Sequence, residues 1–159
     1  MKNDWLLILV LSLIVFFLIA FKNPIKKLMS RGYKNNNPGN IRLTAAKWNG
    51  EIDGTDKAFK KFKSMPYGYR ALYALLREYI NKGYNTIEKI INRYAPGNEN
   101  NTEAYINTVV KKTGIDRKQV LTFAEINKIT DIVAAISFVE NGVTADMRDI
   151  NSGYKLLIS

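Results

Sequence analysis

The chain contains no cysteine and no histidine. These two absences exclude disulfide staples, thiol nucleophiles, Ser-His-Asp triads and ordinary zinc sites. No metal and no cofactor is therefore expected, and any bond cleavage must use carboxylates, hydroxyls or lysine. Metal-free carboxylate chemistry near neutral pH points first to glycosidic bonds. Acidic residues are also scarce: 14 Asp and Glu face 24 Lys and Arg, for a net charge of +10. A basic surface attracts polyanions, whether lipid headgroups, nucleic acid or an acidic cell wall, and charge alone does not choose among them. Nucleic acid ranks last, because the lysines are scattered and no binding motif accompanies them.

What is present begins with residues 5–21, WLLILVLSLIVFFLIAF, which carry no charge, Gly or Pro. At ~1.5 Å per residue such a helix spans about 25 Å, the short end of a bilayer's hydrocarbon thickness. Trp5 sits where an interfacial aromatic belongs, and Lys22, Lys26, Lys27 and Arg31 cluster on the far side. The run therefore predicts a single-pass membrane anchor, with the following domain on the cytoplasmic side. A cleavable signal peptide fits less well, since Lys2 and Asp4 leave no positive excess and no small-x-small site follows. Pro24 is expected to break the helix just outside the bilayer. The organisation expected is an anchor over 1–22, a basic linker over 23–34 and one globular domain over 35–159.

The stretch 35–42, NNNPGNIR, is dense in turn formers. From 41 to 62 the pattern suggests a small irregular antiparallel sheet, with Asp53-Gly54 as a hairpin signal. Everything afterwards reads as helical. Helices are expected over 67–82, stopped by Gly83, and from a capping box of Asn85 and Glu88 to Tyr94. Others should run over 102–113, closed by Gly114, and from a Thr122/Glu125 cap to Asn141-Gly142. A helical turn is expected over 116–121, and the tail 143–159 shows little pattern. The class is α+β, mainly helical with one small β-hairpin sheet behind an N-terminal transmembrane helix.

Glu140 is the leading candidate for chemistry. It lies four residues after Ile136 and seven after Val133, on the apolar stripe of its helix. A carboxyl so placed is partly desolvated, which favours the protonated acid that a glycosidase needs. The alternative is a frayed last turn with Glu140 in solvent. On the hairpin, Glu51, Asp53, Thr55 and Asp56 cluster, and Glu51 is the best partner because Trp48 and Asn49-Gly50 fix its surroundings. Each of these is also an ordinary turn residue. Asn36, Asn37, Asn40, Tyr67, Tyr94, Asn98 and Tyr105 supply the amides and aromatic faces that grip sugars, although Asn and Tyr equally cap, turn and pack.

The segments NNNPGNIR, WNGE and FKKFKSMPYGYRA, then INRYAPGNENNTEAYINTV and ISFVENG, resemble a phage family carrying N-N-P-G-N-I-R, W-x-G and F-x-x-F-x-S blocks. The resemblance covers about residues 31–142. Its members are virion or lysis-related proteins, and the domain looks like the lysozyme/lytic transglycosylase superfamily. There a catalytic Glu ends a helix in an E-S-G-like motif ahead of a β-hairpin. Glu140-Asn141-Gly142 is similar to that motif but follows the hairpin, implying a circularly permuted order. The resemblance implies a peptidoglycan-degrading glycosidase of transglycosylase or muramidase type, which the apolar run 5–21 would anchor in a phage virion membrane or the host inner membrane. Glu140 would be the acid and Glu51 an orienting group. The competing implication is an inactive structural membrane protein of the virion that contacts capsid proteins or genome.

Overall fold

Two long amphipathic helices, packed through residues spaced three and four apart, organise the molecule. The computed structural model describes the backbone of residues 4–97 and 101–159, and within the first helix the side chains of residues 8–17, 19, 27 and 28. The chain is mainly helical with one two-stranded antiparallel sheet: α1 (Asp4–Met29), α2 (Arg31–Lys34), β1 (Glu51–Ile52), β2 (Lys61–Phe62), α3 (Met65–Asn81), α4 (Ile87–Tyr94), α5 (Thr102–Thr113), α6 (Ile126–Asn141) and α7 (Met147–Ile158).

Helix α3 starts after extended Ser64, with Pro66 in its first turn, where a missing N–H costs nothing. It buries Tyr69, Leu72, Tyr73 and Leu76 along one face. Helix α6 buries Ile129, Ile132, Val133 and Ile136 in the same way, and Ile87, Ile90, Ile91, Ile106 and Val109 of α4 and α5 complete the core. The hairpin pairs Glu51 with Phe62 and Ile52 with Lys61, and an isolated bridge joins Arg42 to Phe59. Phe62 and Ile41 form a second small core with Ala71. The long connection between the strands is fastened to α2: Arg31 donates twice to Asp56 at 2.6 Å, and Asn35 Nδ2 donates at 2.8 Å.

Several sequence expectations change. The backbone is helical from 4 to 29, so Pro24 does not end the first helix, and residues 31–34 form α2 where a linker was expected. Ser30 alone separates the two helices; its hydroxyl accepts from the Tyr33 N–H and donates to Asn141 of α6. The cap of α4 is Thr86 rather than Asn85, its hydroxyl accepting from the Lys89 N–H at 3.2 Å. Residues 117–118 make only a turn within the expected helical segment. The tail, which showed little pattern, is helix α7. Its Asn151-Ser152-Gly153 stretch lacks the helix formers that would have revealed it, yet Gly153 is what lets α7 lie against α3. A Cβ there would stand 2.6 Å from the Tyr69 Cβ and 2.9 Å from both Arg70 N and Pro66 O. Gly153→Ala is accordingly expected to destabilise the fold by about 1–3 kcal/mol despite alanine's better helix propensity, read as a lower urea midpoint at unchanged slope.

Among the described residues, no helix is long and apolar enough to cross a membrane. The expected span 5–21 lies partly outside the described side chains. Within α1, Ile8, Leu11, Leu13, Phe16, Phe17 and Ile19 are all exposed.

Candidate functional site

Glu140 sits in the last turn of α6, one residue before the helix stops. Gly142 ends it with φ +67, its N–H bonding back to the Phe138 carbonyl at 2.7 Å. Asn141 is buried, and its amide donates to the Pro38 carbonyl at 2.8 Å and the Ser137 carbonyl at 2.9 Å. That side chain locks the helix end to the 35–42 turn. Within the turn, Asn37 is fully buried: it donates to the carbonyls of Ile41 and Lys60 and accepts from the Ile41 N–H. Asn36 and Asn40 take left-handed φ values of +49 and +46, which asparagine tolerates better than other non-glycine residues. The turn thereby aims Asn40 Nδ2 at Glu140 Oε2, 2.9 Å away.

From the opposite side Tyr105 of α5 donates its hydroxyl to Glu140 Oε1 at 3.0 Å. The Tyr94 ring meets that of Tyr105 edge to face, centroids 6.4 Å apart, and its hydroxyl donates to the Gly39 carbonyl. Burial pushes the Glu140 carboxyl above its ordinary pKa, and the bonds from Asn40 and Tyr105, with the charge of Arg42, offset part of the rise. Burial, then the Glu140 charge, holds the Tyr94 and Tyr105 hydroxyls well above their usual value, so both remain protonated donors. Tyr105→Phe should remove a bond that favours the ionised carboxyl. Glu140 would then titrate higher, and an NMR pH titration of its side-chain carbon should show the midpoint moving up.

Glu140 is shared by two adjoining depressions. One, of about 720 Å³, runs along Asn40, Arg42, Trp48, Phe59 and Leu75 to Tyr79, Tyr84 and Arg93. The other, of about 370 Å³, is lined by Asn101, Ala104, Tyr105, Thr108 and Val139. In the larger one, Asn40 Oδ1 and Trp48 Nε1 are buried polar atoms without a hydrogen-bond partner.

The structure thus brings Asn40, Tyr94 and Tyr105 together around Glu140. Glu51 faces elsewhere: its carboxylate takes the Lys60 ammonium at 3.0 Å and the Trp48 N–H at 3.0 Å. Burial raises its pKa, but Lys60, the Trp48 N–H and Lys47 outweigh that and hold it low. Asn36 donates to the Phe62 carbonyl, Tyr67 lies under Lys63 with 3.8 Å from ammonium to ring centroid, and Thr55 is exposed on the hairpin connection. Asn98 lies outside the described residues. Sequence reasoning did not single out Arg42, Tyr79, Tyr84 and Arg93. They come from separate elements and share no spacing that would have grouped them. Among the described residues no cluster of acidic side chains could hold a metal ion.

Fold and cleft define a small, mainly helical protein with a desolvated carboxyl at the junction of two depressions. No protein-family model matches the chain. It belongs to the family of Protein P5 of Pseudoalteromonas phage PM2, with 42% identity over 120 residues that cover 71% of this chain and 72% of that protein.

Proposed function

We propose that the chain is a membrane-anchored phage glycosidase that cleaves the glycan strand of bacterial peptidoglycan during host penetration or lysis, with Glu140 as its acid. The observation that carries this reading is a partly desolvated carboxyl, braced by two side chains, at the junction of two depressions. A polysaccharide lying across that junction would place one glycosidic oxygen beside Glu140 and sugars on either side.

Protonated Glu140 would donate its proton to the bridging oxygen as the C1–O bond breaks, leaving positive charge at the anomeric carbon. The carboxylate so formed would keep its bonds from Asn40 and Tyr105. It could then take the proton of the hydroxyl that attacks C1. Both bracing groups suit this cycle, because a tyrosine hydroxyl rotates and an asparagine amide flips to serve either protonation state. The second carboxylate along the larger depression, Glu78, is exposed and paired with Lys82 at 2.5 Å. Among the described residues the site has one unpaired acid, which favours the lytic transglycosylase outcome, in which the sugar's own hydroxyl closes an anhydro ring and no water is consumed.

The exposed apolar side chains of α1 support an anchor, since a contiguous apolar surface of this kind marks a membrane or protein contact. Lys27 and Arg31 follow it and favour the domain on the cytoplasmic or virion-interior side. Purified full-length protein in detergent should solubilise isolated cell walls and release anhydro-sugar ends detectable by mass spectrometry. Walls left intact by properly folded protein would replace this reading with the structural one, a membrane protein contacting capsid or genome.

A further inference from the structure

The larger depression has a far end that the acid chemistry does not use. Helix α3 finishes in a turn where the Gly83 N–H bonds to the Ile80 carbonyl and the Tyr84 N–H to the Tyr79 carbonyl, both at 3.0 Å. Gly83, at φ +85, makes that reversal possible. It returns Tyr84 onto Tyr79, ring centroids 6.1 Å apart at 65°. Helix capping accounts for this contact but leaves Tyr84 39% exposed in the cleft wall. Arg93 of α4 faces Tyr79, its guanidinium 6.0 Å from that ring's centroid, and lines the same end of the depression as Tyr84. The charges at this end are Glu78 and Lys82, which satisfy each other, Lys89, whose ammonium donates to the Gly83 carbonyl at 3.4 Å, and Arg93. Lys89 is engaged with that carbonyl, whereas Arg93 has no ion pair or hydrogen bond among the described residues, so its guanidinium is left over beside the Tyr79 ring.

An exposed ring offers a sugar face to stack on, and a planar guanidinium offers two parallel donors to a carboxylate. We propose that Tyr79, Tyr84 and Arg93 form a subsite for the carboxylate-bearing sugar of the glycan, the muramic acid unit with its lactyl group or attached peptide. The assignment rests on the glycosidase reading of Glu140 and adds to it a preference for anionic glycan over neutral polymers such as chitin.

Binding by the full chain carrying Glu140→Gln, in detergent, separates the possibilities. Three probes of equal sugar length serve: a peptide-bearing wall fragment, the same fragment with its peptide removed to free the lactyl carboxyl, and a chitin oligomer. Arg93→Gln should weaken binding of a charged fragment about tenfold, the scale of one lost charge-assisted bond, and leave the chitin oligomer unchanged. Loss with the peptide-free fragment alone assigns the lactyl carboxyl, loss with the peptide-bearing one alone assigns the carboxylates of the peptide, and loss with both means that Arg93 takes either carboxylate. Arg93→Lys should recover part of the loss, which guards against misfolding as its cause. An equal effect on all three probes, or none on any, overturns the subsite while leaving the glycan reading intact. Failure of the Glu140→Gln chain to bind any probe overturns both.

Discussion

Replacing Glu140 with glutamine is expected to abolish wall cleavage, by at least about 10²-fold, while making the folded protein more resistant to heat at neutral pH. The two effects share one cause. Burial disfavours the ionised carboxyl and raises its pKa. The form the folded site prefers is therefore the protonated one, and the stability it contributes is fully present below the ordinary carboxylate pKa. That contribution is lost as pH rises through the folded value, because a charge must then sit in a partly desolvated place. Glutamine never carries that charge. Its carbonyl can accept from the Tyr105 hydroxyl, and its amide can donate to Asn40 once that side chain flips. Melting curves should show the variant a few degrees more stable at about pH 8 and indistinguishable from the parent at about pH 3–4. A group held ionised and well paired would behave oppositely, so a destabilised variant at the higher pH would remove Glu140 from the role of desolvated acid. Retained cleavage with a stabilised variant would keep the desolvation and discard the catalytic assignment.

The parts of this site that could be read from sequence are those built by local rules. Periodicity placed Glu140 on the buried stripe of α6, and Gly142 announced the helix end, because both depend on neighbours within one turn of the chain. The 35–42 turn was legible for the same reason. What its asparagines do was not. Asn36, Asn37 and Asn40 look alike in sequence, yet Asn36 and Asn37 spend their amides on backbone groups while Asn40 reaches Glu140, 100 residues away. The difference comes from left-handed backbone at Asn36 and Asn40 and from Asn141 docking the turn against α6, none of which a pattern displays. Helix α7 escaped for a related reason: Gly153 weakens the local signal and strengthens the packing. Glu51 illustrates the converse. Its neighbours marked it as well positioned, and it is, but for an ion pair inside the hairpin.

That ion pair leads to the largest expected loss of stability. The Lys60 side chain has 0% exposure, and its ammonium contacts both Glu51 oxygens at 3.0 Å, the Ala46 carbonyl at 2.8 Å and the Thr44 carbonyl at 3.2 Å. One buried cation thus gathers the loop 43–50, which carries Thr44, Ala46 and Trp48 to the cleft wall. Lys60→Met fills most of the volume but strands a carboxylate whose side chain is only 8% exposed. Breaking a buried pair from one side costs about 3–5 kcal/mol, more than removing both partners together. The double variant Lys60→Met/Glu51→Met should therefore regain at least half of the loss in urea unfolding, and the cycle would measure the coupling. The pH dependence carries the sign opposite to that of Glu140. Glu51 is held below its ordinary pKa, so its contribution is present above the unfolded value and disappears as pH falls through the folded one. The parent should lose its advantage over the double variant as pH falls below the ordinary carboxylate value, whereas the Glu140 comparison has already closed by the time pH falls to that value. If Lys60→Met unfolds at the parental urea concentration, the ammonium is not what holds the loop. The cleft wall would then have to be fixed by Trp48 packing on the small core of Ile41, Phe62 and Ala71.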